Sequence, residues 1–459
     1  MRRNDRLRSQ ALASRQRGRE QDTGGWFAMA SEDGVSRRAL FGAAGLAAAA
    51  AVPAQAAAPA PASVAGRRFR GMVSDAQGSR IEALTLLDLG PRDCLVRMQA
   101  SSVSYTMTGG VLGASRTPLI MGQGGVGVCE AVGPMVKRVQ VGDRVLISAT
   151  AQCGWCYQCL HGRTDWCQFS QTSGHPFART AAGVEVTPRG GIGGTSELTF
   201  APEEHVTPVF TDLPAASLAL IVNQIGCGFA AGITQAPIEP GSDVAVFGAG
   251  PVGMGAILSA RVAGAARIVV VEPITARREN ARRLGATHVL DPNAMTGAEL
   301  VEAVREICKG RTDRLFAGGR RWGTNVFGQD GRGADFVLEA VGATRFPPKA
   351  EKAPDDTGVL PLRQAWDVTR PGGHCTYMGA AQGEVSFPAI GIALNGRSIH
   401  AAQMGGQHPM RDLPRFVEMM ERGIIDLGAL VTAYPLDRAV EAHQAVADRS
   451  ILAGAVVFG

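Results

Sequence analysis

A chain of 459 residues is long enough for two or three domains, and 45% hydrophobic against 19% charged content gives it a substantial core to bury. Aromatic residues make up only 5%, too few for a surface that stacks nucleic-acid bases. The net charge of +5 is local: residues 1–38 hold nine arginines against five acids, and the near-neutral remainder excludes a basic body built for nucleic acid.

The chain opens on what reads as a targeting signal. Ser36-Arg37-Arg38-Ala39-Leu40-Phe41 looks like a twin-arginine export motif, an Ala/Gly run follows over 42–52, and Ala54-Gln55-Ala56 offers a small-x-small cleavage site. Residues 1–56 are therefore expected to be a signal peptide read by the twin-arginine export machinery, with the periplasm or the cell exterior as destination. The apolar run is too short for a stable membrane span, and the mature chain is expected to have none. Met29 is an alternative start. Residues 57–66, rich in Ala and Pro, read as a disordered linker.

From Arg67 to about Pro214, short alternating apolar runs broken by glycine, such as 93–98 and 141–147, predict a β-rich domain. Within it lie Cys153, Cys156, Cys159 and Cys167, spaced C-x2-C-x2-C-x7-C. Three thiolates two residues apart converge from a tight loop and the fourth closes a tetrahedron, the geometry of a structural zinc. Two disulfides are the competing reading in an oxidising destination. Folding before export favours zinc.

From Asp243 the pattern changes. Strands are expected at 243–247, 267–271, 289–290, 334–338 and 373–378, with helices at about 252–263, 276–284 and 297–308. That alternation predicts a doubly wound parallel sheet, hence an α/β fold. Residues 309–333 and 343–360, rich in Gly, Arg, Pro and Asp, read as surface insertions. The second follows the carboxyl end of a strand, where ligands bind, and either shapes access to a cofactor or is decorative.

Phe247-Gly248-Ala249-Gly250-Pro251-Val252-Gly253 is G-x-G-x-x-G directly after a strand and opening a helix. Gly248 allows the turn, Gly250 lets a pyrophosphate approach, and Gly253 lets helix and strand pack. The helix start offers N–H groups and a positive dipole end to phosphates. Glu272 ends the next strand, placed to hydrogen-bond a ribose 2′-hydroxyl and to repel a 2′-phosphate, which favours NAD over NADP. Arg277 and Arg278 lie close behind and soften that preference, so NADP stays possible. Val341 and Gly342, after the strand at 334–338, complete the expected cofactor-binding set.

Together these residues resemble the zinc alcohol dehydrogenase branch of the medium-chain dehydrogenase/reductase superfamily. Gly142-Asp143-Arg144-Val145 with the cysteine lobe, Ile225-Gly226-Cys227-Gly228-Phe229, Arg282 to Thr287 and Pro371-Gly372-Gly373 carry the likeness over about 67–459. It implies a GroES-like β domain (67–227), a Rossmann domain (228–394) and a return to the first domain (395–459). It also implies a homodimer or homotetramer.

The resemblance breaks at the catalytic zinc. Its Cys-x-Thr/Ser-Asp motif falls on Ser104-Tyr105-Thr106-Met107, and its Gly-His-Glu falls on Gly122-Gln123-Gly124. Only Cys227 remains of three ligands, and the proton-relay histidine falls on Gly109. A hydroxyl and a neutral amide are poor zinc ligands. A relocated metal using His175 is a further alternative. Val103-Ser104-Tyr105 also resembles the Val-Asn-Tyr of zinc-free quinone oxidoreductases and enoyl reductases, where Tyr105 would protonate or orient substrate, or simply line the pocket. Ser104, Thr106 and Gln123 complete the candidate catalytic set, with Thr106 and Gln123 placed to hold a substrate hydroxyl or carbonyl. The expected activity is hydride transfer to or from a small alcohol, carbonyl or conjugated enone, with one structural zinc and none at the reaction centre. A conventional zinc enzyme with altered ligands and an inactive nucleotide-binding protein are the rival readings.

Overall fold

The structure, a computed structural model, describes residues 63–170, 175–189, 192–309 and 331–459. The expected signal peptide, most of the linker and most of the insertion at 309–333 lie outside these residues. The linker ends earlier than its composition suggests. Val64 is buried and Gly66 N donates to Leu86 O at 2.9 Å, so the chain is already anchored before the first strand, Arg68–Asp75.

Three sheets organise the described chain. A small closed barrel joins Arg68–Asp75, Gly78–Leu86, Ala178–Thr180, Glu185–Pro188 and Leu119–Ile120. A seven-stranded sheet is centred on the long strand Asp93–Val103, which pairs with both Gly125–Val132 and Ala453–Val457. The chain's last strand thus returns to the first half, antiparallel to Asp93–Val103, with Gly454 opposite Val103. The expected strand at 141–147 begins only at Arg144, because Gly142 turns the chain with φ +97°.

The third sheet is parallel and six-stranded. Its order is His288–Leu290, Arg267–Val271, Asp243–Phe247, Ala334–Glu339, Thr369–Tyr377, Ser398–Ala401. The chain runs outward from Asp243–Phe247 to one edge, then restarts beside it with Ala334–Glu339, which places the switch point between those two strands. Helices cover both faces, so Asp243–Phe247 is buried along its whole length and reads as an unbroken apolar run after Asp243. The sheet extends past the expected boundary at 394, since Ser398–Ala401 pairs with Thr369–Tyr377. Likewise helix Val359–Val368 starts inside the expected insertion at 343–360, capped by Gly358 at φ +77°.

One apolar core spans both halves. It runs from Ala100, Val126 and Leu146 of the antiparallel sheet to Val244 and Val246 of the parallel one. At its centre helix Gln224–Ala230 crosses helix Pro251–Val262 in backbone contact. A Cβ on Gly228 would run into the Val252 carbonyl, and one on Gly255 into the Ile225 carbonyl and, at 2.8 Å, Phe229 N. The two glycines are what let these helices touch.

Gly255→Val should therefore force the helices apart. Overpacking of this kind costs about 3 kcal/mol. A urea unfolding midpoint that stays at the wild-type value would show that the crossing has slack.

Candidate active site

At the switch point the chain turns from strand Asp243–Phe247 into helix Pro251–Val262. Gly248 takes φ +85°, Gly250 is the N-cap and Pro251 opens the helix at a position that needs no N–H. A Cβ on Gly253 would strike the Gly248 carbonyl, so this glycine makes the tight strand-to-helix junction, as its spacing predicted. The turn borders a cavity of about 190 Å³. Gly248, Gly250, Glu272, Arg277, Val341 and Gly342 all line it, while Gly253 lies behind it in the helix.

Two charged groups face each other there. Glu272 is buried and accepts from Ala249 N at 2.6 Å and Ile274 N at 3.0 Å. Arg277 sits over Gly250, with its Nε enclosed and without a hydrogen-bond partner. Burial pushes its guanidinium down; the Glu272 carboxylate opposes this and Arg449 adds to it. Arg278, by contrast, is turned away, donating to the Glu272 and Pro273 carbonyls and pairing with Asp291. A half-buried cation with an unpartnered Nε beside a glycine cradle fits an anionic group such as a dinucleotide's phosphates.

The four predicted cysteines meet. Their sulfurs all lie within 4.8 Å of one another, with Cys153–Cys159 at 3.9 Å and Cys156–Cys167 at 4.0 Å. Those separations are too long for a disulfide and close to the sulfur–sulfur edge of a zinc tetrahedron. Backbone N–H groups of Trp155 and Cys156 point at Cys153 Sγ, the arrangement that stabilises a thiolate. Among the described residues no other group of three or more His, Cys, Asp or Glu side chains converges in this way. His175, the alternative ligand, is exposed and pairs with Asp93 at 3.0 Å.

Ser104, Thr106 and Gln123 also come together, on a different chemistry. Gln123 Oε1 accepts from Ser104 Oγ at 2.8 Å, Thr106 Oγ1 at 3.1 Å and Asn223 Nδ2 at 2.9 Å. Gly122 and Gly124, at φ +116° and +140°, hold the turn that aims Gln123 inward. A Cβ on Gly124 would enter the Ile147 carbonyl, so no side chain fits at that position. Three donors on one oxygen leave the Gln123 amide nitrogen without a partner among the described residues and still accessible. Cys227, buried, lies one helical turn from Asn223 on the same element, its N–H bonded to the Asn223 carbonyl at 2.7 Å.

Tyr105 points elsewhere. It lines the cavity under the turn, and its hydroxyl accepts from Arg345 N and Phe346 N at 2.9 and 3.3 Å. Sequence reasoning missed Asn223, Gln224 and Arg449. Gln224 donates to the Val103 carbonyl at 2.8 Å while its own Oε1 is buried and unpartnered beside the cavity. Two adjacent buried amides just ahead of an apolar glycine helix were the available signal. Glu339, at the carboxyl end of the switch-point strand, is fully buried under Val341 and accepts from its N–H at 2.8 Å. Burial pushes it up to about 8, so it is protonated at neutral pH.

The chain matches two family models, the alcohol dehydrogenase GroES-like domain over residues 90–211 and zinc-binding dehydrogenase over 251–422. It is 30% identical over 365 residues to geraniol dehydrogenase of Castellaniella defragrans, covering 74% of this chain and 84% of that one. Its fold superposes on an alcohol dehydrogenase zinc-binding domain protein from Burkholderia ambifaria with a TM-score of 0.72 at 25% identity, covering 86% and 99% of the two chains. Benzyl alcohol dehydrogenase from Acinetobacter calcoaceticus shares the fold at a TM-score of 0.69 and 24% identity, over 86% and 100%.

Two outcomes follow from this geometry. Glu339 has a folded value of about 8 against an ordinary 4.5. Its stabilising contribution is complete below pH 4.5 and is lost as pH rises through 8, a swing on the order of a few kcal/mol. Glu339→Gln should therefore unfold at a higher urea concentration than wild type at pH 8.5 and show no such gain at pH 4.5; equal midpoints at both would mean the carboxyl is not desolvated. Cys156→Ser should lose the lobe's zinc and lower the thermal midpoint, measured by elemental analysis and calorimetry, and unchanged zinc content would remove that sulfur from the site.

Proposed function

The chain belongs to the zinc-type alcohol dehydrogenases of the medium-chain dehydrogenase/reductase superfamily and is an oxidoreductase; from that premise we propose that it moves hydride to or from a small organic alcohol, carbonyl or conjugated enone without a metal at the reaction centre. The observation that carries this is the Gln123 cluster. A family zinc needs anionic or imidazole donors, and Ser104 and Gln123 supply neither; they are engaged with each other and with Thr106 and Asn223 instead. The residues present do not fit a catalytic zinc. The four-cysteine lobe does fit the structural one.

The nucleotide fits the cleft. When bound, it supplies or accepts the hydride. Gly248 and Gly250 give it close backbone approach, the N-terminus of helix Pro251–Val262 and the Arg277 guanidinium meet its phosphates, and Glu272 faces the ribose end. The Glu272 carboxylate supports NAD over NADP. Gln123 is held by its oxygen, which leaves its amide N–H groups free to act as donors to a substrate oxygen on which negative charge develops. Thr106, on the exposed side of the same cluster, can share that oxygen. Neutral donors polarise a carbonyl less than zinc does, so the chemistry favours substrates already activated by conjugation. Geraniol dehydrogenase among the relatives agrees with an alcohol of that kind. The same reading has the chain exported by the twin-arginine route as a folded homodimer or homotetramer.

The decisive experiment is a zinc count on freshly purified protein together with a chelator titration of turnover. One zinc per chain and turnover that resists chelation is the expected pair. Two zincs, with activity lost as the second leaves, would return the conventional zinc mechanism. Gln123→Leu should lower kcat/KM by roughly a hundredfold with zinc content unchanged, and should also lower the thermal midpoint because Ser104 and Asn223 lose their acceptor.

A further inference from the structure

The segment 343–357 leaves the carboxyl edge of the parallel sheet and is bonded, in succession, to both sides of the nucleotide cleft. Its first half is tied to the β-rich side. Arg345 N and Phe346 N donate to the Tyr105 hydroxyl, and the Phe346 ring stands edge-on to the Tyr105 ring at 6.1 Å between centroids. Arg449 donates to Thr344 Oγ1 at 3.0 Å, and Lys349 N donates to the Asp448 carbonyl at 3.1 Å. Its second half is tied to the parallel sheet's side: Thr275 N donates to Glu351 Oε1 at 3.1 Å and Asn293 Nδ2 to the Lys352 carbonyl at 2.9 Å. Ala353, Pro354 and Asp355 then line the cavity itself.

We infer that this segment is a fixed strap that keeps the dinucleotide in its cleft as a resident group, and that the enzyme exchanges hydride between two organic substrates without exchanging nucleotide. The inference rests on the reading of the cleft as a nicotinamide nucleotide site. A nucleotide used as a cosubstrate must leave in every cycle, typically one to a thousand times each second. Leaving this cleft requires its two sides to part, which breaks the bonds to Tyr105, Arg449 and Asp448, or the strap to peel, which breaks those at Thr275 and Asn293 as well. The Lys349–Asp448 ion pair at 2.7 Å contributes little, because Lys349 is 75% exposed. The Tyr105 and Thr344 bonds hold the first half, and the bonds from Thr275 N to the Glu351 side chain and from the Asn293 side chain to the Lys352 carbonyl hold the second.

The net reaction balances without free nucleotide. An alcohol loses two electrons and two hydrogens, one as hydride from carbon and one as the hydroxyl proton, and becomes a carbonyl. A second carbonyl compound gains the same hydride and a proton and becomes an alcohol. Each must enter after the other's product has left, which gives parallel lines in double-reciprocal plots.

The test begins with the full chain as purified, passed through gel filtration, denatured and analysed for nucleotide. About one nucleotide per chain is expected, with labelled NAD added to the intact protein exchanging over hours. Tyr105→Phe removes the acceptor for two strap bonds and should speed exchange at least roughly tenfold while zinc content and thermal midpoint hold. A second variant replaces 346–354 by a short Gly/Ser link, with the same expectation. Protein that emerges empty, binds added NAD and releases it within seconds overturns the strap and leaves the proposed function standing. Protein that binds no nucleotide overturns both. Tyr105→Phe that lowers kcat with exchange unchanged overturns the strap role and gives Tyr105 to the chemistry instead.

Discussion

The contact on which the site depends is the crossing of two helices through Gly228 and Gly255. One of these helices, Gln224–Ala230, carries Cys227 and follows directly on Asn223; the other, Pro251–Val262, begins at the nucleotide turn. Side chains at a crossing allow sliding and repacking, whereas backbone against backbone does not. The polar cluster around Gln123 is thereby held in register with the glycine cradle, although the two arise from different halves of the chain. Val103, which ends the central antiparallel strand, closes the same arrangement by accepting from Gln224.

On the proposed function the cluster trades strength for simplicity. A metal polarises oxygen strongly, but it needs deprotonated ligands and an outer layer of oriented partners. Ser104, Thr106, Asn223 and Gln123 are neutral, so their desolvation is cheap and their hydrogen bonds satisfy one another. Most of the molecule's charge is kept out of this region. The cations at the cavity are Arg277 and Arg449, on the nucleotide side, and Glu339 beneath it is protonated at neutral pH.

Much of this was legible in the residues. The G-x-G-x-x-G turn and the cysteine spacing each specify a geometry within a few residues of chain, so Gly248, Gly250 and Cys153 to Cys167 fell where expected. The replacement of ligands at Ser104 and Gln123 was also visible, because Thr106 and Gly122 still mark each motif's place although Met107 and Gly124 have replaced its acids. The cluster those residues form was not, since it depends on Asn223, a hundred residues from Gln123 in sequence and brought there only by the helix crossing. Tyr105 was identified, but its partners lie 240 residues away in a Gly- and Pro-rich stretch with no periodicity to read. Ser398–Ala401 escaped notice because an edge strand has one paired side and half-exposed residues, which blurs the apolar run that marks its neighbours.

The turn at Gly122-Gln123-Gly124 limits which side chains the loop can carry. At φ +140°, with the Ile147 carbonyl where a Cβ would stand, Gly124 is closed to every side chain, a carboxylate included. Exchanging Gln123 for histidine is one codon's work, but seating an acid beside it would require the loop, and the strand carrying Ile147, to be redrawn together. Intermediates with only one of those changes would carry a clash or an empty gap. Such a turn is selective: exchanges at Gln123 leave the backbone in place, whereas any side chain at Gly124 requires the strand carrying Ile147 to move.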